Sequence, residues 1–467
     1  MPSEPQAVRY SADPRIAPLA EWLADPVEPA DFPSTTLRWR NDRAAATVGL
    51  DGLTDAEWTA HFGRFEPLPG NLPQPLALRY HGHQFRVYNP DIGAGRGFLF
   101  AQMRDGAGRL LDLGTKGSGR TPWSRDGDGR LTLKGAVREI LATEMLEALG
   151  VNTSKTFSVI ETGEQLWRGD EPSPTRSAVL VRLSHGHVRI GSFQRLSVLD
   201  EHDHLAALVD YCLETYPGPP PPEGAPGRDE PGIVLLHQVT ERLARMAASY
   251  MAAGFVHGVL NTDNMNISGE SFDYGPWRWL PQWDASFTAA YFDHSGLYAF
   301  GRQPSAIQWN CAQLAMALRP IVSGDDPLVA AIDRFGAIYR EAMAEHFLWR
   351  LGLESRGQDE DVKLIGAAEE YMREAGAGPD QFFFDHRGGR NAPPGAFGDL
   401  LGSHDPAPDA TAHPLWSRQG APTLVIDEVE RIWAAIDKDD DWSALNQKIA
   451  GIREFGFALG APPRAPN

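Results

Sequence analysis

The stretch Gly254-Phe-Val-His-Gly-Val-Leu-Asn-Thr-Asp-Asn-Met-Asn-Ile-Ser-Gly-Glu-Ser-Phe-Asp-Tyr-Gly275 decides how the rest of the chain is read. It holds an Asp-Asn pair, Asp263 and Asn264, and a second acidic turn, Asp273-Tyr274-Gly275. The apolar-polar alternation between them predicts a short hairpin. An Asn and an Asp at this spacing supply the oxygen ligands that a hard cation such as Mg²⁺ takes when it also holds phosphates. The remaining question is where groups that bind phosphate lie.

Working outward, the 467 residues exceed what one small core needs, and 42% hydrophobic with 10% aromatic content describes a globular chain. The net charge of −19 argues against a general binder of nucleic acid or anionic membrane, while leaving room for a local basic cleft. Cys212 and Cys311 fall in amphipathic segments and read as buried thiols, not a disulfide or zinc framework. Met1-Pro-Ser-Glu-Pro5 lacks the basic and apolar regions of a leader, and no apolar run approaches membrane-spanning length. The expectation is a cytoplasmic protein.

Residues 1–75 read as an extension with short helices at Ile16–Leu23 and Thr54–Phe62. Residues 76–196 read as a β-rich lobe, with strands at Gly97–Met103 and Arg109–Leu113 around the turn Asp105–Gly108. One helix interrupts it, Thr132–Leu149, closed by Gly150. Residues 197–385 read as a helical lobe, with helices at Leu205–Thr215, Val234–Ala253, Ile307–Ile321 and Leu328–Leu351. Within it Pro217–Gly227 is too rich in Pro and Gly to be anything but loop. Residues 386–467 form a C-terminal extension: a Pro-rich stretch to Pro422, then helices at Asp427–Ile436 and Trp442–Phe455.

Gly93-Ala-Gly-Arg-Gly97 precedes an apolar strand, so its glycines could bring backbone amides close to an anion; a plain hairpin turn has the same composition. Lys116, flanked by Gly114, Gly117 and Gly119, ends the next strand and could reach the same anion. Glu139 lies on a helix face with Ala136, Ile140 and Leu146, which turns its carboxylate inward, towards an ion pair with Lys116. Glycine-rich loop, strand Lys, helix Glu, then an Asn and an Asp-Tyr-Gly in a helical lobe: this order is the protein-kinase order, an α+β fold of two lobes. One part is missing. A kinase places its base Asp five positions before the metal Asn, and here that position is Val259. Asp263 is the carboxylate left nearby to act as base.

Arg182 and Arg189 lie in a segment, Ser177–Phe193, that reads as β-rich and joins the two lobes. With Arg96, Lys116, Arg120 and Arg130 they would make a cationic interior suited to a triphosphate.

The strings Gly82-His-Gln-Phe85, Lys116-Gly-Ser-Gly-Arg-Thr-Pro-Trp-Ser-Arg125, Gly127-Asp-Gly-Arg130, His257-Gly-Val-Leu-Asn-Thr-Asp-Asn264, Asp273-Tyr-Gly-Pro276, Gln303-Pro304 and Trp309-Asn310 resemble the selenoprotein O, or YdiU, family over about Leu76 to Leu318. The resemblance implies a pseudokinase-type loop in a protein-kinase-like fold. It also implies ATP held with its α-phosphate towards the acceptor, and AMP transferred to Ser, Thr or Tyr hydroxyls of protein substrates. By position it assigns Gly93, Gly95, Arg96, Lys116, Asp128, Gly129, Arg182 and Arg189 to the nucleotide, Glu139 to Lys116, Asp263 to the base, and Asn264 and Asp273 to Mg²⁺, with Mn²⁺ as an alternative metal. The implied protein is bacterial and monomeric, with ATP and protein substrates as partners and neither nucleic acid nor membrane. A nucleotide-binding scaffold without chemistry, and a phosphotransferase acting through the γ-phosphate, are the competing readings. The chain departs from the family pattern at Ala94, where an acidic residue is usual, and at Arg86, where glycine is usual. Its tail, Phe455–Asn467, has no cysteine for redox control, and the family's usual C-terminal part is hard to recognise after about Asp385.

Overall fold

A computed structural model describes residues 8–169 and 171–463; Met1–Pro5 and the last four residues of the tail lie outside the described residues. The first 75 residues supply helices α1 (Ala20–Leu23), α2 (Asp42–Ala46) and α3 (Asp55–Gly63), and strands β1 (Ala24–Pro26) and β2 (Thr36–Arg40). Thr54 starts α3 with a reciprocal capping box to Glu57, which satisfies two donors of the first turn. These residues build into the main sheet: β1 and β2 form its two edges.

Between those edges run β3 (Leu76–Leu78), β6 (Leu99–Arg104), β7 (Leu110–Lys116), β9 (Lys155–Leu166) and β10 (Thr175–Ser184), in the order β1-β3-β6-β7-β10-β9-β2, with β8 (Leu131–Thr132) added to β10. A separate hairpin, β4 (Gly82–Gln84) and β5 (Val87–Asn89), stands off this sheet. The pairings recorded for the main sheet are antiparallel. α4 (Leu133–Ala148), capped by the Thr132 hydroxyl, packs on β9 and β10, with Ile140, Leu141, Met145 and Leu146 inaccessible to solvent.

The strand expected through Arg189 ends at Ser184. Gly186, at φ 109°, turns the chain, and Arg189 instead precedes α5 (Ile190–Val198). The helical lobe continues with α6 (His202–Thr215) and the long, buried α7 (Pro231–Ala252). The short pair β11 (Phe255–Val256) and β12 (Arg278–Trp279) brackets the quoted loop. α7 packs against α8 (Gln303–Leu318), α9 (Asp325–Asp333) and α10 (Phe335–Leu351). The single helix expected over 328–351 is thus α9 and α10, meeting at Arg334, whose backbone remains helical at φ −66° and ψ −23°.

Beyond α10, two helices had no sequence expectation, α11 (Gln358–Ala375) and α12 (Pro379–His386). A third, α13 (Ala396–Ser403), interrupts the stretch read as Pro-rich loop, because Phe397 and Leu401 find buried positions there. α14 (Ile426–Asp439) and α15 (Ser443–Leu459) follow, and α15 returns to lie along α4. The architecture is an α+β arrangement of a sheet lobe and a helical lobe. Among the described residues no helix is long and apolar enough to cross a membrane.

Candidate active site

A cavity of about 720 Å³ opens between the two lobes. Among the described residues seven basic side chains line it, Arg96, Lys116, Arg125, Arg130, Arg168, Arg182 and Arg189, against four carboxylates, Asp126, Asp128, Asp263 and Asp273. A chain of net charge −19 therefore holds a basic interior. Arg120 does not line it; its guanidinium donates to the Arg125 carbonyl at 3.2 Å. Arg130 is committed to Glu164 at 2.9 Å.

The glycine-rich loop runs beside the end of β7, with the Gly117 N–H donating to the Arg96 carbonyl at 2.7 Å. Its glycines answer to close packing. A Cβ on Gly97 would sit 2.0 Å from the Thr115 carbonyl oxygen, one on Gly95 2.8 Å from the Trp123 oxygen, and one on Gly93 2.4 Å from the Trp123 ring. Gly129, at φ 70°, makes a similar close approach to Gly119. The Asp128 carboxylate lines the cavity while accepting from both arms of Arg168, at 2.8 and 3.1 Å.

Lys116 is buried and bridges two carboxylates: Glu139 of α4, with which it is in hydrogen-bond contact, and Asp273, at 2.8 Å. The Asp273 backbone is left-handed, at φ 61°, a conformation that an aspartate adopts at some expense and that is typical of functional turns. Lys116 and the nearby arginines outweigh burial and hold its carboxyl well below the usual range, so it is ionised.

Arg182, on β10, is 5% exposed. Its Nη2 is 3.6 Å from Asp273, but its Nε and Nη1 are buried with no hydrogen-bond partner among the described residues. A buried guanidinium with two open N–H edges is unfavourable unless an anion fills them. Arg189 lies between Tyr80, at 4.6 Å, and Phe272, at 4.8 Å, and donates to the Asp263 carbonyl at 2.8 Å.

The predicted hairpin within 265–272 does not form. Asn266 pairs with Arg189 and Ser271 with Thr153, so both arms of the loop are zipped to other segments around a turn at Gly269. That zipper brings Arg189 to the base of the cavity. Asp263 occupies a tight helical turn, Thr262–Asn264, with its Oδ1 buried and unpartnered among the described residues, and burial pushes its carboxyl up to about 6. Asn264 does not line the cavity. Its amide nitrogen donates to the Val259 carbonyl at 2.9 Å, which leaves its oxygen as the end suited to a cation. Ionised Asp273 and the Asn264 oxygen are hard donors that fit Mg²⁺ with phosphates completing the shell.

The sequence reading passed over Trp123, Tyr80 and Phe272. Trp123 stands inside one of the quoted strings, and its role follows only once the glycines are seen against it. No spacing signal marks Tyr80.

Comparison with known proteins bears on this constellation. The family described as protein adenylyltransferase SelO matches residues 6–391. The chain belongs to the SelO family. A protein nucleotidyltransferase YdiU of Gloeobacter violaceus is 43% identical over 467 residues, covering 95% of each chain. One of Synechocystis is 40% identical over 473 residues, covering 94% of this chain and 97% of its own. One of Synechococcus elongatus is 50% identical over 357 residues, covering 76% of this chain and 70% of its own.

The two long alignments necessarily run well past Asp385, so the C-terminal part is shared with these SelO-family relatives. The family match itself ends at residue 391, close to the point after which the family's C-terminal part is hard to recognise. Arg86 is also informative. Its backbone has a glycine-like φ of 63°, and the guanidinium lies over Trp309 at 5.4 Å.

Proposed function

We propose that this chain transfers AMP from ATP to Ser, Thr or Tyr hydroxyls of other proteins, acting as a monomer in the bacterial cytoplasm. The observation that carries the nucleotide half is Arg182, whose buried Nε and Nη1 lack partners in a cavity built on Lys116 and Arg189. Family membership supports the transfer half.

In this reading Lys116, Arg182 and Arg189 bind the phosphates, and Glu139 fixes the Lys116 ammonium from behind. Arg96, Gly93, Gly95, Asp128 and Gly129 form the wall against which the nucleotide lies. Asn264 and Asp273 would hold Mg²⁺, or Mn²⁺, which neutralises phosphate charge when bound. Asp263 takes the acceptor's proton: the O–H bond breaks as the oxygen bonds the α-phosphorus, and the bond to the β-phosphate breaks with its electron pair leaving on diphosphate. Val259, an alkyl side chain at the kinase base position, cannot perform that step, which favours Asp263.

ATP labelled at the α-phosphate should leave its label on protein, and ATP labelled at the γ-phosphate should not. Retention from the γ position alone would sink adenylylation in favour of phosphorylation, and retention from neither would favour a scaffold. Asp263→Ala should abolish transfer and keep ATP binding.

A further inference from the structure

Gly114 of β7 and Arg182 of β10 are register partners, and Lys116 follows Gly114 on the same face of the sheet. The slot left by the missing side chain of Gly114 is filled by the imidazole of His187; a Cβ there would lie 1.8 Å from its Nε2. His187 lines the cavity. Its Nδ1 is 3.0 Å from Asp112 Oδ2, with the Ser184 hydroxyl at 3.5 Å.

Asp112 is 1% exposed and is fixed from behind. Its other oxygen accepts from Gln102 Nε2 at 2.8 Å, and Gln102 is held in turn by the Ile16 N–H and the Tyr211 hydroxyl. A carboxylate fixed in this way sets the ring's tautomer by taking the Nδ1 proton. The other polar end of the ring, Nε2, then lies over Gly114, the register partner of Arg182.

We propose that His187 is a further phosphate ligand of the nucleotide site, donating from Nε2 in its imidazolium form with Asp112 as counter-charge. The inference rests on the reading that the cavity takes a nucleoside triphosphate. The charged groups facing the ring are Asp112 from β7, Arg182 from β10 and Arg189 from the start of α5, with Lys116 further along β7. Without an anion, burial and the two arginines keep the ring neutral, outweighing Asp112. A triphosphate reverses the local field, and the ring then gains a proton from solvent; no bond to the nucleotide is made or broken.

The test is calorimetric titration of the full-length protein with ATP and Mg²⁺ at pH 7.5 in two buffers of different ionisation enthalpy. The wild-type protein should take up about half a proton more per ATP than His187→Gln. The variant should also bind ATP about tenfold more weakly at pH 6.5, with the gap closing by pH 8.5. Asp112→Asn, which keeps an acceptor for Nδ1 but removes the charge, should lose the uptake as well. If both variants match wild type in uptake and affinity, the proposal is overturned while the nucleotide site stands. If wild-type protein binds no ATP, the nucleotide reading falls and this inference falls with it.

Discussion

At the scale of single residues, the site combines groups that are poor for stability and good for binding. Arg182 is the clearest: two buried N–H edges lack partners, and its one carboxylate contact, at 3.6 Å, is long. Arg182→Met should therefore leave the nucleotide-free protein as stable as wild type or up to about 1 kcal/mol more so. ATP affinity should drop by about 1.5–3 kcal/mol, the usual worth of hydrogen bonds to a charged group. Thermal melts with and without ATP check both signs; destabilisation without nucleotide would show that the guanidinium is structural. Glu270 behaves in the same spirit. It is buried, accepts from the His185 N–H at 2.7 Å, and burial pushes its carboxyl up from 4.5 to about 7. With the folded value above the unfolded one, the folded state binds more protons across that window, so the contribution to stability is complete below 4.5 and is lost as pH rises to about 7. Glu270→Gln keeps an acceptor and removes the ionisation. At pH 8 it should be more stable than wild type by about 1–3 kcal/mol, with no advantage at pH 4.5. Denaturant melts at the two pH values measure this, and an equal effect at both would refute it.

Elements were legible in the sequence where one physical rule governed them. The apolar face of α4 and Gly150 marked that helix nearly to the residue, and the same face pointed Glu139 towards Lys116. What could not be read was competition between segments. The 265–272 stretch has the alternation of a hairpin, but its hydrogen bonds go to 152–154 and 188–190, partners distant in sequence. Likewise Arg189 follows a strand pattern that Gly186 ends, and α13 forms in a Pro-rich stretch because a pocket accepts Phe397 and Leu401. The glycine-rich loop was legible as a feature but not in its cause. Its glycines were read as room for an anion, whereas Gly97 is required by the Thr115 carbonyl 2.0 Å from its virtual Cβ. Gly97→Ala must then push the loop off β7. An overpacking penalty of about 1–3 kcal/mol and a loss of ATP affinity of at least tenfold are expected. Binding at wild-type strength would mean that the loop does not shape the site.

At the scale of the whole molecule, the last helix braces the helix that carries Glu139. α15 lies along α4, where Arg453 grips the buried Glu144 through two bonds of 2.7 Å, and Gly456 packs against Ala148, whose Cα lies 3.0 Å from a virtual Cβ. α4 also carries Glu139, so the C-terminal extension sets where the Lys116 ammonium stands. Two glycines of α15 separate this effect from helix propensity. Gly456 meets α4, and Gly451 has nothing within 4 Å. Leucine at either gains about 1 kcal/mol of helix propensity over glycine. Gly451→Leu should therefore raise the melting temperature slightly and leave ATP affinity and transfer unchanged. Gly456→Leu has to wedge α15 away from α4, at about 1–3 kcal/mol, and should lower ATP affinity at least threefold as Glu139 shifts. A Gly456→Leu protein that melts early but binds ATP normally would reduce α15 to a stabilising brace with no hold on the site.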